Sequence, residues 1–205
     1  MSIVTYNNRS ISSITAIPGA AKSLTHIKTL TASSSSTLSF VNGSSDVVLD
    51  STYPIYIFKF INIHPASDNS TFEVGFRDGS TDYDATKTTT FFWAYHDEAD
   101  SETSLGYLAS RDLAQGTGFT DLSGSVGNGS DESCSGELTL FNPSSTTFVK
   151  HFLSRSSLYE GSSYAMDVHT GGYCNVTAAI DAVQFKFSSG NVDAGTIKLY
   201  GLKDS

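Results

Sequence analysis

The chain has 205 residues, of which 39% are hydrophobic, 12% aromatic and 16% charged, and its formal net charge is −9. This balance lies away from the low-hydrophobicity, high-charge compositions that stay disordered, and the length is enough to bury a sizeable core, so one main folded domain is expected. The acidity, with no basic cluster to override it, excludes a protein that gains affinity by neutralising nucleic-acid phosphates, and it disfavours adsorption to anionic membranes.

Residues 1–36 are polar and rich in small side chains, are interrupted by Pro18-Gly19 and close on Ser33 to Ser36. They lack a sustained two-residue period and read as an extended arm and linker ahead of a β domain over 37–205. Ile11, Ile14 and Ile17 recur at three-residue spacing beside Asn7, Asn8 and Arg9, a modest apolar face suited to an anchor that orders on a neighbouring subunit. A loose chain end is the plainer alternative. The opening residues show neither the charged nor the apolar segment of a secretory signal, and no run approaches the ~20 apolar residues of a membrane helix. Synthesis in a cytoplasm, without membrane insertion, is therefore expected.

Strand signals accumulate from Thr37 onward. The strongest run, Tyr53 to Pro65, sets Ile55, Ile57, Ile61 and Ile63 on one face and Tyr56, Phe58 and Phe60 on the other, bracketed by Pro54 and Pro65. Two apolar faces predict a central strand covered on both sides for part of its length. In the next run Phe72, Val74 and Phe76 alternate with Thr71, Glu73 and Gly75, whose polar face is expected in solvent. Thr88 to His96 is β-branched and aromatic, which favours another strand. Ala99 to Leu113 carries Leu105, Leu108 and Ala109 at helical spacing, but Gly106 inside it costs about 1 kcal/mol against alanine, so only a short helix or an irregular crossover is expected. Glu137 to Phe141 and Thr147 to Leu153 flank Asn142-Pro143-Ser144-Ser145, whose Asn-Pro opening suits a type I turn and hence a hairpin. Ser163 to Val168, Ala182 to Phe187 and Thr196 to Tyr200 complete the set. About ten strands with little helix imply two packed antiparallel sheets, an all-β, jelly-roll-like sandwich behind an extended N-terminal arm.

Residues that could carry chemistry are sparse. No Gly-x-Ser-x-Gly elbow accompanies the abundant serines. Asp97, Glu98, Asp100 and Glu102 cluster after the aromatic strand; a pair such as Asp97 and Glu98 would serve glycoside hydrolysis, and Asp97, Glu98 and Asp100 would offer oxygens to Ca²⁺. The spacing is not that of an EF-hand loop, and a solvated loop is the simpler reading of a charge run. His64, His96, His151 and His169 fall in separate segments without metal-ligand spacing. No catalytic, cofactor-binding or metal-ligating set is expected. Cys134 and Cys174 leave open both a disulfide and two buried thiols. Tyr83, Tyr95, Tyr107, Tyr159, Tyr164 and Tyr173 lie in or near stretches rich in Ser, Gly and Asn, a mixture suited to adaptable recognition, and all but Tyr95 are taken as candidates for contact with glycans or a host surface, with edge-of-sheet packing as the alternative.

Several phrases resemble a family of small virion-associated proteins of tailed bacteriophages, particularly those of marine cyanobacteria and other marine bacteria. They are Asn7-Asn8-Arg9-Ser10, Asn62-Ile63-His64-Pro65-Ala66, Asp112-Leu113-Ala114-Gln115-Gly116-Thr117, the run Leu140 to His151, Ser188-Ser189-Gly190-Asn191 and the terminal Gly195 to Tyr200. The resemblance spans nearly the whole chain and implies a virion component, assembled in the host cytoplasm, with no enzymatic activity. It suggests an appendage on the particle, of the capsid-decoration, head-fibre or tail-fibre type, anchored through its arm to capsid or tail proteins with the β domain outward. A homo-oligomer, with a trimer preferred, is expected by analogy with fibre and decoration proteins. The alternative is a carbohydrate-binding module that recognises host surface glycans; a glycan-degrading enzyme is the weakest of the three.

Overall fold

A computed structural model describes residues 24–203, and every regular element among them is a strand. In chain order these are β1 (Leu24–Thr31), β2 (Leu38–Val41), β3 (Ile55–Pro65), β4 (Ser70–Arg77), β5 (Lys87–Asp97) and β6 (Thr103–Tyr107). They continue with β7 (Thr120–Val126), β8 (Cys134–Phe141), β9 (Lys150–Glu160), β10 (Tyr164–Cys174), β11 (Ala182–Phe187) and β12 (Val192–Leu202). All pairings between strands are antiparallel, which is the all-β class that the alternation predicts.

One ladder runs β1-β12-β3-β8-β9-β10-β5-β6 and a shorter one β7-β4-β11-β2. A single residue pair, Val126↔Glu160, joins them, so the whole is one sheet folded over on itself. The inward faces are sealed by phenylalanines from the two ladders. Phe58 meets Phe185 with ring centroids 5.4 Å apart, Phe60 meets Phe72 at 5.3 Å and Phe76 meets Phe152 at 4.9 Å. All six are buried, each contributing about 1.5–3 kcal/mol by its removal from water, and the tilted contacts add to this.

Four elements depart from the sequence-based expectation, each for a local reason. The C-terminal part of the segment expected as an arm over 1–36 belongs to the sheet, because Leu24–Thr31 pairs along β12 and Ser35 bridges Val192. A register shift between His26 and Lys28 breaks the alternation that would have revealed this strand. The anchor residues Asn7, Asn8, Arg9, Ile11, Ile14 and Ile17 lie outside the described residues.

The strand β3 is central, between β12 and β8, but only its inner face is covered: Tyr56, Phe58 and Phe60 are buried, whereas Lys59 and Ile61 are exposed. Ile63 does not share a face with Ile61. At Asn62 the backbone turns to φ 51°, the register slips, and Ile63 swings into the core. Opposite this bulge Gly195 has φ 115°, and a Cβ there would lie 2.5 Å from the Asn62 carbonyl, so only glycine fits.

The polar face of β4 is not in solvent. The segment between β6 and β7 lies over it, with Phe119 packed against Gly75 and the Arg111 guanidinium donating to Thr71 Oγ1 (2.7 Å) and Asp121 Oδ2 (2.9 Å). Within Ala99 to Leu113 the chain forms the edge strand β6 instead of a helix. Gly106 faces Trp93 across the β5–β6 pair, and a Cβ there would come within 3.4 Å of the indole nitrogen. The Asn142 hairpin is as expected, with Ser145 N–H donating to Asn142 O at 3.1 Å.

Candidate functional site

Beyond β8 the longer ladder continues through β9, β10, β5 and β6, and its outward face carries a shallow trough. Contiguous cavities of about 500, 360 and 450 Å³ follow one another along it. The period of two sets its lining: Leu153 and Arg155 on β9, His169 and Gly171 on β10, and Thr90 and Phe92 on β5 all point outward. Gly171 pairs with both Leu153 and Thr90 and leaves the floor open between them. Phe92 and His169 are cross-strand partners whose rings stack at 4.8 Å and 3°. Four large apolar side chains stand exposed on this face, Leu105 at 77%, Leu153 at 59%, Tyr107 at 56% and Phe92 at 41%.

The charges on the same face are paired among themselves. Arg155 grips Asp167 through two parallel bonds of 3.0 and 2.8 Å, which holds the Asp167 carboxyl below the usual range, and Lys59 meets Glu137 at 3.0 Å. His169 lies 3.4 Å from Asp167. The trough is therefore locally neutral within an acidic protein, with paired charges at its β3–β8 end and apolar side chains toward β5, an arrangement suited to contact with another surface.

A second feature occupies the opposite face of the same strands. Where β5 and β10 extend past the cover of the shorter ladder, Trp93, Tyr95 and Tyr164 are half-buried and line a cavity of about 180 Å³ together with Met166, Glu160 and Ser162. Register brings them together, since Tyr95 pairs with Met166, Trp93 with Val168 and Asp97 with Tyr164.

The tyrosines singled out from sequence are thus divided. Tyr107 and Tyr173 stand on the trough face, and Tyr107 donates its hydroxyl to Asp112. Tyr159, on β9, lies on that face two residues beyond Ser157. Tyr164 belongs to the inner cavity, and Tyr83 sits apart in the β4–β5 loop, against Gly75. Tyr95, singled out with them, shares that cavity, whereas Trp93 was legible only as a strand residue, because nothing local shows that β10 delivers Tyr164 beside it.

The acidic cluster after β5 is occupied by its own turn. The Asp97 carboxylate accepts from Ser101 N (2.8 Å), Ser101 Oγ (2.5 Å) and Glu102 N (2.7 Å), and these bonds bring its pKa down to about 2. Asp100 faces His96 at 3.1 Å. Among the described residues no group of three or more His, Cys, Asp or Glu is placed to hold a metal ion.

Cys134 and Cys174 are free, buried thiols, not a disulfide. Burial pushes the Cys174 thiol up to about 12 and that of Cys134 up as well, so neither is a reactive thiolate near neutral pH. Lys87 and Lys150 flank Cys174 in register and are fully buried; their ammonium groups bond the carbonyls of Ala85 (2.5 Å) and Val176 (2.8 Å) and stitch loops at one end of the sheet. Burial lowers both lysine pKa values.

No family model, curated protein or solved structure matches the chain.

Proposed function

We propose that the protein is a non-catalytic structural component of a tailed-bacteriophage particle, an appendage whose β domain presents the trough face to a partner. The observation that carries the contact surface is the row of exposed Phe92, Leu105, Tyr107 and Leu153 on one outward sheet face. Apolar patches of this kind mark interaction sites, because leaving them wet costs free energy that a partner surface recovers. The particle assignment rests on the resemblance of several phrases to those of virion-associated proteins. The engagement of Asp97 by its own turn supports a contact role over hydrolysis, since a glycosidase needs two carboxylates free to act on a sugar.

The connectivity fits such a part. Two four-strand sets, β1-β12-β3-β8 and β2-β11-β4-β7, nest, and the chain passes from one ladder to the other at β1–β2, β2–β3, β3–β4, β4–β5, β6–β7, β7–β8, β10–β11 and β11–β12. We infer a jelly roll extended by the β5–β6 and β9–β10 hairpins. Repetition of the appendage over a particle, as a trimer or another closed oligomer, would multiply weak contacts through effective concentration. The direct test is mass spectrometry of purified virions. A peptide set from this chain at structural stoichiometry is the expected result; its absence from intact particles would overturn the assignment.

A second reading, recognition of host surface glycans, is favoured by the length of the trough and its mixture of aromatic, hydroxyl and paired charged groups. Binding on an array of bacterial polysaccharides that is lost in Phe92→Ser with Leu153→Ser supports it. Silence across the array counts against it.

A further inference from the structure

The cavity lined by Trp93, Tyr95, Tyr164, Met166, Glu160 and Ser162 has a chemistry of its own. Its rings do not stack. Trp93 and Tyr95 lie 5.5 Å apart at 72°, and Tyr95 and Tyr164 lie 5.1 Å apart at 76°. Three rings held at steep angles border one cavity from different sides, an arrangement unlike the flat platform that stacks on a sugar ring. Glu160 adds a carboxylate to the wall, and Tyr164 donates its hydroxyl to Glu102 at 2.9 Å, which places a second carboxylate beyond that hydroxyl. No lysine or arginine lines the space.

We infer that this slot binds a quaternary ammonium group. A cation is drawn to aromatic faces by their quadrupole, most strongly to tryptophan, and the attraction grows when the site is shielded from water. A primary ammonium or a metal ion would surrender strong hydration to enter a space walled by three rings and a thioether. A methylated ammonium carries its charge on weakly hydrated methyl groups, which pack against Met166 and the rings at little cost. The shared chemistry is a trimethylammonium head, as found on choline-bearing lipids and polymers and on trimethylated lysine. The slot and the trough lie on opposite faces of the sheet, so the loss of one proposal leaves the other standing.

Trp93 is the single tryptophan of the chain, so its fluorescence reports on this slot alone. The full chain is titrated at constant ionic strength with tetramethylammonium, choline, phosphocholine and trimethyllysine, and with 3,3-dimethylbutan-1-ol, the uncharged carbon analogue of choline. The expected result is a saturable change with the cations and at least about tenfold weaker binding of the uncharged analogue. Glu160→Gln is expected to weaken choline severalfold, and Tyr164→Ala to abolish the response, with Tyr164→Phe retaining most of it and thereby controlling for misfolding. A preference for phosphocholine or for trimethyllysine supports the site and identifies the source of the head group. No saturable change, an equal response to the uncharged analogue, or a response to monosaccharides alone would overturn the inference.

Discussion

Two aromatic triplets of nearly equal spacing occupy different parts of the molecule. Phe58, Phe72 and Phe185 sit where the two ladders face each other, with centroids 5.4 and 5.7 Å apart, and all three are fully buried. Trp93, Tyr95 and Tyr164 sit where β5 and β10 run beyond the shorter ladder, with centroids 5.5 and 5.1 Å apart, and all three are half-buried. Ring spacing therefore does not separate a stabilising cluster from a recognising one. The cover over the rings and their polar atoms do: phenylalanine has none, whereas tryptophan and tyrosine carry an N–H and an O–H that gain from an open side.

Truncation in each triplet separates the two roles. Phe185→Ala is expected to cost about 3–5 kcal/mol in urea unfolding, because a sealed site relaxes poorly around a cavity. Tyr164→Ala is expected to cost less than about 1 kcal/mol, within the range of open positions. Equal losses would erase the distinction.

Arg111 marks the border of the sealed region. Its guanidinium lies over the Phe91 ring at 5.8 Å and ties Thr71, Asp121 and Ser125 together. Burial raises the Asp121 pKa while the guanidinium opposes that rise. Arg111→Met leaves that carboxylate without its partner and is expected to cost about 2–3 kcal/mol, less than a deeply buried pair because both side chains keep some solvent contact. An unchanged unfolding midpoint would show that the cover over β4 is ornamental to stability.

Leu105→Ser with Leu153→Ser, on the exposed trough face, is expected to change stability by no more than about 0.5 kcal/mol per site. A larger loss would assign that face to the fold and remove it as a contact surface. The smallest effect concerns the rim of the open triplet. Asp97 holds the turn that carries Glu102, and its folded pKa of about 2 lies below its unfolded value. Its contribution is therefore full above an unfolded pKa of about 3.9 and disappears as pH falls through the folded one. The stability difference between the parent and Asp97→Asn is expected to shrink between about pH 4 and pH 2; a difference independent of pH across that window would contradict the role given to the carboxylate.

The alternation in Phe72-Val74-Phe76, Val183-Phe185-Phe187 and Ile197-Leu199 was legible as strand because each of these runs buries one face in the sealed region. β7 was not, since Thr120, Ser123 and Gly124 bury small or polar side chains, Ser123 through hydrogen bonds to Phe72 N and its neighbour Gly124, and leave Leu122 and Val126 as the only large apolar positions. β6 imitated a helix because its residues are exposed at an edge and carry no pattern imposed by a core. The site was half legible. Tyr164 and Tyr107 stood out by composition, but the slot depends on pairing between strands some seventy positions apart, and the trough depends on which face of β9 the folded sheet leaves uncovered.

The most direct test of the sealed and open regions is native-state hydrogen exchange resolved to single amides. The amides of β3, β4 and β11 are expected to exchange only through global unfolding, and those of β6 through local opening of distinctly lower free energy. Amides of β6 found in the slowest class, with the same denaturant dependence as β11, would show that the edge is as tightly held as the core and would contradict the division on which both proposed surfaces rest.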